Sequence, residues 1–133
     1  MTDDDRRAAI ALELRHASSA LTAARLLRDA NLHNDSLSRL YYALFHTMTA
    51  LLLTEGVEPR RHRSLPGLLG AKFAASGMMS AADIALVSRA GTYRDLADYE
   101  RTWEATADVT NTAFAEIEPL MDRVRAHLES RGS

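Results

Sequence analysis

Apolar residues recur along this chain at alternating spacings of three and four, the signature of amphipathic helices. From about Asp4 to Ala30, residues Ile10, Leu14, Ala17, Leu21 and Ala24 fall on one helical face. Asp3, Asp4 and Asp5 stand at its start, where carboxylates oppose the positive end of the helix dipole. Asn31 to Asn34 reads as a turn. Asp35 or Ser36 then caps a second helix, which runs to about Glu55 and ends at Gly56 and the Glu58-Pro59 step. Ser64 is the expected N-cap of a short third helix over Leu65 to Ala75, with Pro66 tolerated in its first turn and Gly77 closing it. Met78 and Met79 read as loop residues, and Ser80 caps a fourth helix that reaches about Tyr99. The last stripe is the longest: Trp103, Ala107, Thr110, Phe114, Ile117, Met121, Val124 and Leu128 alternate without a break. It continues through Pro119, which predicts one long helix with a local kink.

No period-two pattern, repeat or low-complexity tract interrupts these segments. Four long helices and one short one, joined by short connections, predict an all-α, up-and-down helical bundle. Residues 1–133 read as a single domain, long enough to bury a core without staples. The formal net charge of −2 supplies no global attraction for nucleic acid, so any such site must be local. The absence of cysteine excludes a disulfide framework and a thiolate zinc site, and it fits a reducing, cytoplasmic setting. The acidic start argues against a secretory signal. Apolar stretches such as Ala50 to Leu53 are too short to span a bilayer, so no membrane association is expected. The five histidines show no metal-ligand spacing with carboxylates, and neither a metal nor another cofactor is expected.

The second helix poses a packing problem. Tyr41, Tyr42, Phe45 and His46 place four rings within six positions, and successive residues sit about 100° apart on a helix, so they cannot all face one core. Leu37, Leu40, Tyr41, Leu44, Met48 and Leu51 form the core stripe. Tyr42, Phe45 and His46 then lie toward another face and need a second covering surface. Either the bundle's fifth helix or a partner supplies it, and the partner reading makes Tyr42 and Phe45 interface residues. Arg39 and His46, seven apart, share a helical face. The basic cluster Arg60, Arg61, His62 and Arg63 reads either as a solvated loop or as a phosphate-contacting patch. Arg94 and Asp98, four apart on the fourth helix, suit an ordinary surface ion pair.

Several of these pieces, in order, resemble the HEPN superfamily, the small helical bundles of prokaryotic toxin–antitoxin and defence systems. They are Tyr41-Tyr42-Ala43-Leu44-Phe45-His46, Gly56, His62, the step from Phe73 to Gly77, and Arg94-Asp95-Leu96-Ala97-Asp98-Tyr99. The resemblance covers about residues 36 to 101; no single piece is specific, but the ordered set is. It implies a homodimer and, in many members, a metal-independent ribonuclease marked by Arg, four to six residues, then His. In that resemblance the arginine contacts the scissile phosphate, and the histidine helps move protons as the RNA 2′-hydroxyl attacks. The chemistry is sound, because a guanidinium stabilises charge developing on phosphate and imidazole titrates near neutrality.

Here the aligned arginine is Arg94, and Tyr99 occupies the histidine's place, a degenerate Arg-x4-Tyr. Arg101 stands where some HEPN toxins carry a tyrosine that a partner nucleotidyltransferase modifies. The resemblance therefore implies Arg94, Tyr99 and Asp98 as the catalytic set, with His46 in reserve and Arg60, Arg61, His62 and Arg63 as RNA contacts. Tyrosine, with an ordinary pKa of about 10, is a poor base at neutral pH. A general base then has to come from His46, His62 or a second subunit. A reading of another class is a non-catalytic helical binding module that partners a minimal nucleotidyltransferase antitoxin. A plain helical interaction domain is the third.

Overall fold

The computed structural model describes residues 1–131. Five α-helices follow one another: α1 Asp3–Asp29, α2 His33–Leu53, α3 Leu65–Phe73, α4 Ala81–Tyr99 and α5 Ala107–Ser130. A 3-10 turn at His62–Ser64 leads directly into α3, and no strand occurs among the described residues. The fold is the expected all-α bundle of four long helices and one short one.

Local chemistry sets several helix ends. Thr2 and Asp5 bond reciprocally at the start of α1, and Ser80 and Asp83 do the same at α4, each pair satisfying two otherwise orphaned N–H groups. The Thr106 hydroxyl accepts from the Val109 N–H and caps α5.

Five expectations change. The first turn is tighter than Asn31 to Asn34: Asn31 alone takes φ +63°, and α2 begins at His33 without a side-chain cap. Asp35 and Ser36 lie inside the helix, and the buried Ser36 hydroxyl donates instead to the Ala24 carbonyl of α1, 2.7 Å away. Ser64 has helical backbone and does not cap α3; its hydroxyl donates to the Arg61 carbonyl within the 3-10 turn. Trp103 precedes α5, half-buried in the connecting loop and stacked on Tyr93 at 6.2 Å between centroids. Met79 is no loop filler: it is 1% exposed and belongs to the core. The α5 helix itself runs unbroken through Pro119, which lies on its exposed face.

Helix α2 is the central element, packed against α1, α3, α4 and α5. Every residue from Thr47 to Leu53 is buried, which explains why this apolar run shows no clean period. Nearer its N-terminus, Leu37, Leu40, Tyr41 and Leu44 face the core as predicted. Helix α5 contributes Thr110, Phe114, Ile117, Met121, Val124 and Leu128 to the same core, while Ala107 stays exposed. The part of α2 left over, Tyr42, Phe45 and His46, is half-buried and forms the base of the site. No helix among the described residues is long and apolar enough to cross a membrane.

Candidate active site

The aromatic face of α2 is covered by the basic loop, not by α5. The His62 ring sits against three rings of α2, with centroids 5.5 Å from Tyr41, 5.6 Å from Tyr42 and 4.5 Å from Phe45. Edge-on and tilted packing of this kind holds an imidazole in place without a hydrogen bond. Nδ1 of His62 is buried and has no hydrogen-bond partner among the described residues. Burial pushes the His62 pKa below its ordinary value and the Arg94 cation pushes it further, with Asp95 offsetting part of the shift. At neutral pH this ring is an uncharged base.

Arg94 approaches the same aromatic face from α4. Its side chain is only 13% exposed, unusual for an arginine on a short domain's surface. Nη2 donates to the Tyr42 hydroxyl at 3.0 Å, and Nη1 donates to Asp95 Oδ1 at 3.1 Å. Nε lies 3.1 Å from Asp98 Oδ2, but its N–H is not aligned for a hydrogen bond, so that contact is one of charge. The guanidinium also sits 5.6 Å from the Tyr42 ring centre and 5.3 Å from that of Tyr99. Burial alone lowers an arginine's pKa; the hydrogen bonds to Tyr42 and Asp95 more than reverse that, so Arg94 is a fixed cation. The simple Arg94–Asp98 ion pair is present, yet it is only one of several constraints on this side chain.

Arg94, Asp95 and Tyr99 on one side and Arg60, Arg61, His62 and Arg63 on the other line a cleft of about 1050 Å³. Tyr41 at its base has its phenol pushed up to about 12 by burial, which keeps it protonated. The structure thus unites Arg94, Tyr99 and the whole basic cluster, and Asp98 supports Arg94 from beside it. It does not bring His46 into this cleft. His46 lines a neighbouring groove with Arg39, where its Nδ1 meets Glu13 Oε2 of α1 at 2.6 Å. Tyr42 and Phe45, expected at a partner interface, are half-covered within the chain, Tyr42 by Arg94 and His62 and Phe45 by His62. Two residues escape sequence reasoning: Asp95, the hydrogen-bond partner of Arg94, and Glu13, the partner of His46. Asp95 adjoins Arg94 in sequence, a weak signal; Glu13 carries none, since its partner lies on another helix.

Comparison with known proteins agrees with this architecture. The HEPN domain family matches residues 11–127. A protein of Methanocaldococcus jannaschii named "Putative toxin" is 30% identical over 113 residues, 85% of this chain and 84% of that protein. A second of that name from the same organism is 24% identical over 115 residues, 86% of this chain and 78% of the relative. A Thermotoga maritima protein named "UPF0332 protein" is 26% identical over 116 residues, 86% of this chain and 87% of its own. The match spans nearly the whole helical core and its first relative is aligned over most of both lengths: this chain belongs to the HEPN domain family.

Proposed function

We propose that this protein is a toxin-type RNA endonuclease whose reaction runs in the cleft between Arg94 and His62. One observation carries the reading: a nearly buried guanidinium and an uncharged imidazole, both packed on Tyr42, open onto one basic cleft. The toxin names of the two relatives support it.

In this reading Arg94 binds the scissile phosphate and stabilises the charge that develops there. Arg60, Arg61 and Arg63 hold the flanking backbone. His62 accepts the proton of the RNA 2′-hydroxyl as its oxygen attacks the adjacent phosphorus. The P–O5′ bond breaks, and the Tyr99 hydroxyl gives its proton to the leaving O5′. The products are a 2′,3′-cyclic phosphate and a 5′-hydroxyl, and proton transfer from His62 back to Tyr99 resets the site. His62 thereby does the work that the family assigns to a histidine at the position of Tyr99. Two copies meeting at this surface double the positive charge in one cleft, and a homodimer is part of the proposal.

The test is single-turnover cleavage of structured RNA by purified protein with EDTA present, because protein side chains carry every proton in this scheme. Cleavage that Arg94→Ala abolishes is the expected result; cleavage that survives Arg94→Ala overturns the site. No cleavage by wild type at micromolar enzyme favours the second reading, a non-catalytic module that partners a small nucleotidyltransferase antitoxin. The observation behind that alternative is Tyr99 itself, 71% exposed where the family's nuclease motif has histidine.

A further inference from the structure

Beyond Tyr42 lies a second concavity, the groove between α1 and the first half of α2, of about 310 Å³. Its floor is made of small residues, Ser19, Ala20 and Ala23, which leave room for a ligand close to the helix backbone. Its walls carry Arg39, His16 and His46. The two imidazoles lie 5.3 Å apart, tilted by 37°. Glu13 of α1 is engaged by Nδ1 of His46, which leaves the other ring nitrogen of His46 available.

Arg39 makes no ion pair among the described residues, which leaves its guanidinium open to an outside anion. It leans instead toward the Tyr42 ring, 5.9 Å from the centroid. One guanidinium and two imidazoles, beside one carboxylate already engaged by His46, make the groove rich in hydrogen-bond donors for an outside anion. Two imidazoles at this separation repel when charged, and a shared anion relieves the repulsion.

Tyr42, which lines this groove, links it to the cleft: Arg94 bonds its hydroxyl and Arg39 approaches its ring. We propose that this groove is a phosphate subsite, in which Arg39, His16 and His46 hold a backbone phosphate of the same polynucleotide strand that occupies the Arg94–His62 cleft. The polynucleotide part rests on the function proposed above; the affinity of the groove for phosphate does not.

Two measurements on the full chain separate these parts. In the first, inorganic phosphate is titrated at about pH 6.5, near the ordinary histidine pKa, while imidazole resonances are followed by NMR. His16 and His46 should shift saturably in wild type and in Arg94→Ala, and Arg39→Gln should remove the saturation. In the second, fluorescence anisotropy follows a labelled single-stranded RNA dodecamer. Arg39→Gln should weaken its binding roughly 5- to 10-fold and reduce the salt slope by about one, as the loss of one phosphate contact requires. A thermal melt of Arg39→Gln matching wild type excludes a folding defect, since the side chain is exposed. No response of His16 and His46 to phosphate overturns the subsite. A phosphate response with RNA affinity indifferent to Arg39 overturns the polynucleotide assignment and points to free phosphate. Failure of RNA to bind wild type, with the phosphate response intact, refutes the function proposed above and the strand path together, and only the anion site survives.

Discussion

Arg94 donates through Nη2 to the Tyr42 hydroxyl 3.0 Å away, and this bond ties α4 to the aromatic face of α2. Tyr42→Phe keeps the ring and removes only the acceptor. It should cost about 1 kcal/mol in urea unfolding and lower RNA cleavage several-fold, because Arg94 loses a group that fixes its plane. Arg94→Ala should abolish cleavage with the bundle still folded by circular dichroism. Arg94→Lys should restore only part, since an ammonium cannot make a bidentate phosphate contact. Full activity in Tyr42→Phe would reduce Tyr42 to a packing residue.

His62 sets the pH dependence. Burial and Arg94 both favour its neutral form, so it is protonated only below the ordinary histidine value of about 6.5. The acidic limb of the cleavage profile should therefore lie below that value. Stability follows the same sign: between the two pKa values the unfolded chain binds more protons than the folded one, so stability falls as pH drops through that window. His62→Gln should lose less stability than wild type between about pH 7 and pH 5. Parallel unfolding curves for the two proteins over that range would show that His62 is not shifted.

Asn34 holds the connection between α4 and α5. Its Nδ2 donates to the Trp103 carbonyl at 2.9 Å, and its Oδ1 accepts from the Ala105 N–H at 2.8 Å. Asn34→Ala leaves two part-buried backbone groups unpaired and should cost about 2 kcal/mol. Trp103 is the only tryptophan, so its fluorescence reports the loop directly. The variant should show a red-shifted emission before any chemical denaturant is added; an unshifted spectrum would mean that stacking on Tyr93 is enough to hold the loop.

Phe114 lies at the middle of the α5 stripe, 3% exposed, with the Arg28 guanidinium 4.4 Å from its ring centre. Phe114→Ala removes both the buried ring and that contact. A loss of about 3–5 kcal/mol is expected from transfer free energy and the cavity left behind. A melting temperature within a degree or two of wild type would contradict the packing.

Oligomeric state is checked separately. A dimer should bury on the order of 1,200 Å2 or more of total surface. Multi-angle light scattering at tens of micromolar should report twice the 14.7 kDa chain mass, and a clean monomer would remove the dimer from the proposal.

The sequence alone determines the number of helices, their order and most core positions. The reason is physical: a 3.6-residue spacing of apolar side chains and a Ser80–Asp83 or Asp3-to-Asp5 start signal are properties of neighbouring residues, which no distant contact needs to supply. It also singles out Arg94 and the basic loop, because the ordered pieces around them resemble a known family. What tertiary structure decides is which of these groups meet. Ser36 could cap its own helix; a carbonyl of α1 within reach makes it a buried interhelical donor instead. Met79 stands two residues after Gly77 in a turn, yet the turn folds inward and buries it. His46 and His62 both appear as imidazoles near α2, and only packing sends one to Glu13 in a separate groove and the other to the cleft of Arg94. The positions of loops and of facing helices depend on many contacts at once, so no spacing rule reaches from Tyr42 to Arg94 or from Glu13 to His46. The elements are local; the site is not.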